Sequence, residues 1–158
     1  MMDLLVRIEN LGLSTWIREG RSLLAFPTLL FLHTLGMGIV AGGSSLMSVA
    51  ILGLYPRSAL KSLERLYSPI WVAFGVNAVT GVLILMAEAT KMLTNPDFYI
   101  KMTCVFTGLV LLRVMRRQVF GDPSLETSPV SSRAKALAWA SLACWFGAIV
   151  AGRLLGYT

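Results

Sequence analysis

The sequence predicts an all-α, polytopic membrane protein: a four-helix transmembrane bundle preceded by an amphipathic helix in the membrane interface. Three observations carry this. Hydrophobic residues make up 56% of the 158 and charged residues 14%, with a mean hydropathy of +0.71. That is more apolar surface than a soluble monomer of this size can bury. Crossing a hydrocarbon core of about 30 Å takes roughly 20 apolar residues, and four stretches suffice, at about 23–53, 69–90, 98–115 and 134–156. The links between them are short and polar, so the chain reads as a single membrane domain over residues 1–158.

Residues 1–21 place Leu4, Leu5, Ile8, Leu11, Trp16 and Ile17 at near-helical spacing among Asp3, Arg7, Glu9, Arg18 and Glu19. That pattern suits a helix lying in the interface, interrupted at Asn10 to Gly12 and anchored by Trp16. Ser14 is expected to cap the turn leading into the membrane. The first span follows a charged segment and is too long for a signal-peptide core, so it is expected to be retained. Pro27 either opens that span or kinks it. The link from Tyr55 to Ser68 sets Leu60, Leu63 and Leu66 against Arg57, Lys61, Glu64 and Arg65, which predicts a short surface helix, with Pro69 and Trp71 opening the second span. Thr94 to Asp97 reads as a turn and Gly121 to Ser132 as a flexible linker.

The formal charge of +6 is a topology signal rather than a nucleic-acid footprint. Eight of the 14 basic residues fall in two loops: Arg57, Lys61 and Arg65 between spans one and two, and Arg113, Arg116, Arg117, Arg133 and Lys135 between spans three and four. Both loops share a face in a four-span chain. That face is expected to be cytoplasmic, with both termini periplasmic in a bacterial inner membrane. Cys104 and Cys144 sit at different expected depths and are read as two separate thiols.

Chemistry concentrates on one side chain. His33 is the lone histidine, placed inside the first span, and an ionisable group at that depth is by default a functional candidate. Gly36, one turn on, offers a backbone wall against which a flat ring could lie, and neutral imidazole is a standard ligand of haem iron. His33 is therefore the candidate metal ligand, with Gly36 as the wall and Met37 as a further soft contact. The bland alternative is a histidine hydrogen-bonded to a neighbouring helix, with the glycines serving only helix packing. Gly38 and Gly42 form a small-xxx-small pair that permits close helix approach, and Asn77 is expected to act as interhelical glue. A second group, Glu88, Lys91, Lys101 and Arg153, gathers near the outer ends of spans two to four. Lys101 and Arg153 could clamp propionates or an anionic substrate, and Glu88 could carry protons. One histidine and two scattered cysteines exclude a zinc centre or a nucleophile triad.

The order His33-Thr34-Leu35-Gly36-Met37-Gly38, then Thr80-Gly81-Val82-Leu83, then Asn95-Pro96-Asp97-Phe98-Tyr99-Ile100-Lys101-Met102 resembles an uncharacterised group of small bacterial four-helix membrane proteins. More distantly it is similar to the copper resistance D-type membrane domain and to the HemJ-type protoporphyrinogen oxidases. The latter resemblance implies His33 as the axial ligand of a haem b and Lys101 as a functional lysine, although the HemJ-type enzymes carry further histidines that this chain lacks. The expectation is a haem b-binding membrane protein with a redox role, as oxidoreductase or electron-transfer subunit, alone or as a homo-oligomer or part of a complex. A non-catalytic accessory subunit stabilising a larger membrane complex is the alternative.

Overall fold

The computed structural model describes residues 2–20, 25–122 and 129–157, the side chains of 57–59 excepted. Among them every regular element is helical. Two short helices, α1 (Met2–Glu9) and α2 (Gly12–Glu19), break at Asn10 and Leu11, as the sequence indicates. They bury Leu5 and Ile17 and leave Leu4, Leu13 and Trp16 exposed, so each has one face on the bundle and one apolar face outside. Ser14 is not a cap. Helix α2 begins two residues before it, and its hydroxyl is buried inside the helix without a hydrogen-bond partner.

Helix α3 (Phe26–Val49) is the first span. Pro27 lies in its first turn, where the missing N–H costs no backbone bond, so it opens the helix rather than kinking it. A π-turn (Ala50–Leu54) ends the span at Gly53, whose φ of 103° is open to glycine at little cost. The surface helix α4 (Arg57–Leu63) then runs through a 3-10 turn (Glu64–Leu66) into α5 (Tyr67–Ala87). Leu60 is buried, with Leu63 and Leu66 against the core, on the face that their spacing predicts. The second span therefore starts two residues earlier than expected and stops at Ala87 rather than 90. Glu88 leaves helical geometry there (φ −130°, ψ 40°), and a separate helix, α6 (Ala89–Thr94), follows.

A distant carboxylate holds that break. Glu9 Oε1 accepts from the Thr90 backbone N–H at 2.6 Å, supplying an acceptor to one of the amides that the first turn of α6 leaves open. Asn95 caps α7 (Pro96–Met115) by accepting from Asp97 N at 2.8 Å, with Pro96 as the first helical residue. A π-turn (Arg116–Phe120) extends the third span beyond its expected end at 115. Ser131 caps α8 (Ser132–Leu154). Residues 23 and 24, where the first span was expected to begin, and 123–128 of the expected linker lie outside the described residues.

The four long helices α3, α5, α7 and α8 are each apolar and long enough to cross a membrane. The chain is a polytopic membrane protein. The closest pairings are α3 with α5, α7 with α8, and α3 with α8. Phe31, Val72, Val79, Phe106, Trp139 and Phe146 point outward, which is favourable only where the surroundings are themselves apolar. The core between the helices holds Met47, Ile51, Tyr67, Ile70, Leu112, Met115 and Trp145. Tyr67 fastens α5 to α7 at the basic end: its hydroxyl donates to Leu112 O at 3.2 Å, and its ring packs edge-on against Phe120.

Two glycines on α3 do opposite things. A Cβ on Gly36 would lie 2.9 Å from Ala73 O and 3.2 Å from Asn77 N, backbone atoms of α5 that cannot swing aside. Around Gly38 and Gly42, in contrast, nothing lies within 4 Å of a Cβ. The close approach expected of the Gly38 and Gly42 pair is thus made within the chain by Gly36 instead. Replacing Gly36 by Ala should destabilise the bundle by about 1–3 kcal/mol, whereas Gly38→Ala should be neutral or stabilising by up to about 1 kcal/mol. Detergent unfolding curves of the two variants check this, and equal effects would refute the assignment.

Candidate functional site

His33 lies seven residues into α3, about 10 Å from its start at 1.5 Å per residue. Its side chain meets α5, where Asn77, Thr80 and Gly81 lie on adjacent turns. Nδ1 is 3.0 Å from the Asn77 carbonyl oxygen and 3.3 Å from Thr80 Oγ1. Asn77 returns the contact: its Nδ2 donates to the His33 carbonyl at 2.7 Å. The Thr80 hydroxyl donates to Val76 O at 2.7 Å, with Asn77 O also in reach at 3.1 Å. Two helices are thereby joined by a reciprocal pair of hydrogen bonds, each side chain serving the other residue's backbone. Such a pair matters in lipid because no water can replace a lost partner.

The tautomer follows from the acceptors. Nδ1 faces both the Asn77 carbonyl oxygen at 3.0 Å and the Asn77 amide nitrogen Nδ2 at 3.3 Å. The shorter contact is to an atom that only accepts, and Nδ2 already donates to the His33 carbonyl at 2.7 Å, so the hydrogen is assigned to Nδ1 from the network. In the neutral ring Nε2 then carries a lone pair, and among the described residues it makes no hydrogen bond. Gly81 lets the ring seat against α5: a Cβ there would lie 3.0 Å from His33 Cε1.

Lys101 enters from α7, five residues past Pro96. It is half-buried, and its aliphatic stem runs along α8, where a Cβ on Gly152 would be 3.4 Å from Cε and 3.6 Å from Nζ. The ammonium has no carboxylate partner, since the one ion pair among the described residues joins Arg18 and Glu19 at 3.1 Å. Helices α3 and α5 thus hold the imidazole, while α7 and α8 hold Lys101, whose ammonium has no ion-pair partner among the described residues.

The other expected site residues are placed differently. The wall at Gly36 is occupied by Ala73 and Asn77 of α5, because α3 and α5 come into backbone contact there, so no flat ring can lie against it. Met37 packs against the apolar core. Arg153 is exposed, its guanidinium stacked 4.9 Å from the centre of the Tyr157 ring. Lys91 is exposed, and Glu88 stands at the break between α5 and α6. Glu88 forms no ion pair with Lys101, and Lys101 and Arg153 lie on the neighbouring helices α7 and α8. The two cysteine thiols are free. Among the described residues no three His, Cys, Asp or Glu side chains group as a metal site. Sequence reading underrated Thr80, Gly81 and Gly152, whose small size and position reveal themselves only once the helices are aligned.

A family model described as a family of unknown function, DUF6644, matches residues 28–158. The chain belongs to DUF6644. The matched stretch takes in all four long helices, and with them His33, Asn77, Thr80 and Lys101, and leaves α1 and α2 outside. No curated protein and no solved structure matches the chain.

The clasp makes a graded prediction. Asn77→Leu removes the donor to His33 O and should lower stability by about 1 kcal/mol. Thr80→Val should cost less, because that hydroxyl chiefly serves its own helix. Unfolding midpoints in a fixed detergent read both, and a larger loss for Thr80→Val would contradict the arrangement.

Proposed function

We propose that this protein binds a b-type haem through Nε2 of His33 and takes part in redox chemistry or electron transfer near the outer face of a bacterial inner membrane. The observation that supports it is the half-satisfied imidazole. Protein ligands of iron commonly have one ring nitrogen held by a carbonyl so that the other presents its lone pair, and His33 has that division of labour. The second support is Lys101. An ammonium without a counterion is costly at membrane depth, and a propionate would supply the missing charge. The pair therefore asks for a ligand offering both an electron-pair acceptor and an anion, which haem does.

The donor chemistry at Nε2 suits the group, whereas Gly36, closed by Ala73 and Asn77, offers it no wall. His33 would hold the iron, the Asn77 carbonyl would fix the ring's orientation, and Lys101 would bind a carboxylate. Bound haem supplies one-electron chemistry through its iron. With Met37 packed in the core and one histidine in the chain, a further protein ligand would have to come from His33 of a second copy. Glu88 and Arg153 are not needed for this reading, which rests on His33 and Lys101. The distant likeness to HemJ-type enzymes points to the same two residues. The basic loops, grouped at the far end of the bundle, support periplasmic termini.

A second reading has its own support. Gly38 and Gly42 face open space on the outside of α3, beside the exposed Phe31 and Leu35, a surface that would suit the accessory subunit of a larger membrane complex. The two readings separate on purified protein prepared with ample haem supply. Haem binding predicts a Soret band in the wild type and none in His33→Asn, whose amide nitrogen can still reach the Asn77 carbonyl and keep the clasp. Lys101→Met should retain the band but hold haem about tenfold more weakly. A colourless, well-folded wild type would sink the haem reading and favour the accessory one.

A further inference from the structure

At the basic end of the bundle, opposite the His33 site, α4, the 3-10 turn, the start of α5 and the end of α7 surround a cavity of about 760 Å³. Lys61, Arg65 and Arg116 line it, with Glu64, Tyr67 and Trp71. Three cations face one carboxylate, and none of the four belongs to an ion pair among the described residues. The floor is rigid. Tyr67 is buried and tied to Leu112 O, and the Arg116 guanidinium sits 5.1 Å above the centre of its ring. A net positive pocket with fixed aromatic walls at a helix-bundle end is suited to a phosphate group.

A second cavity, about 510 Å³, adjoins it. This one is a groove between α3 and α5 lined by apolar side chains, among them Leu35, Ile39, Val72 and Val76, and it shares Ser68 with the basic pocket. It runs from the basic end into the hydrocarbon depth, along the line where Gly36 meets α5. A soluble phosphate would use the first cavity and leave the second idle. A molecule with an anionic head and a long apolar tail would fill both.

We propose that the two cavities together hold one anionic phospholipid, its phosphate among Lys61, Arg65 and Arg116 and one acyl chain in the groove between α3 and α5. Glu64 gives a headgroup hydroxyl an acceptor. Seated there, the lipid links α4 and the start of α5 to the π-turn that follows α7, beside the α5 to α7 contact that Tyr67 makes.

The test uses delipidated full-length protein titrated with phosphatidylglycerol, phosphatidylcholine and inorganic phosphate, with bound species read by native mass spectrometry. Phosphatidylglycerol should be held at least about tenfold more tightly than phosphatidylcholine. The double change Lys61→Gln with Arg65→Gln should abolish most of that preference, and Arg65→Gln alone should reduce it should the double variant fail to fold. Val72→Trp, which fills the groove without altering charge, should weaken both lipids. Arg116 is left in place because it stacks on Tyr67. Equal retention of the two lipids, a preference undiminished in the glutamine variants, or lipid retention unchanged by Val72→Trp would overturn the proposal. Displacement of the lipid by millimolar inorganic phosphate would do so as well, assigning the pocket to a soluble anion.

Discussion

Hydrocarbon offers a polar side chain no solvent partner, so His33 and Asn77 must satisfy each other, and the rest of the structure is arranged around their doing so. Nδ1 meets the Asn77 carbonyl at 3.0 Å, and the Asn77 amide meets the His33 carbonyl at 2.7 Å. For each side chain to reach the other residue's backbone the helices must pack closely, and Gly36, directly beside Asn77 N and Ala73 O, permits it. The clasp sets the α3 to α5 contact, which in turn fixes the ring's orientation. That orientation leaves Nε2 without a hydrogen-bond partner among the described residues. In the proposed function, the structural contact and the ligand bond would be carried by different nitrogens of one ring.

Much of this architecture was legible from residue order. Four apolar stretches of sufficient length gave four spans, Asn95 with Pro96 gave the start of α7, and the leucines of α4 fell on the predicted face. Boundaries were less legible, for identifiable reasons. The second span ends at Ala87 because Glu9, some eighty positions away in the chain, accepts from the Thr90 amide and stabilises a new helix start. No local pattern announces that contact. Ser14 has the residue type of a cap and the position of a core residue, since α2 begins at Gly12.

The candidate site was half legible. Depth singled out His33, and the apolar flanks of Lys101 singled it out from the other basic residues near the same end. Its neighbours Thr80, Gly81 and Gly152 have no chemistry that distinguishes them from packing residues until α5 and α8 are laid beside the ring and the ammonium. The glycines of α3 illustrate the limit well. Spacing identified Gly38 and Gly42 as an approach motif, yet Gly36 makes the approach, because which face of α3 meets α5 depends on the whole bundle. Spacing likewise put Glu88 and Arg153 near Lys101 in depth; Glu88 stands at the break between α5 and α6 and Arg153 stacks on Tyr157.

The claim on which both the clasp and the proposed ligand depend is that the hydrogen of the neutral imidazole resides on Nδ1. Because His33 is the only histidine, incorporating nitrogen-15 histidine labels this ring alone, and the two nitrogen resonances of the ligand-free protein in bilayers report the tautomer without ambiguity. The account predicts a protonated, pyrrole-like Nδ1 and a pyridine-like Nε2. A hydrogen found on Nε2, with Nδ1 bare against the Asn77 carbonyl, would contradict it.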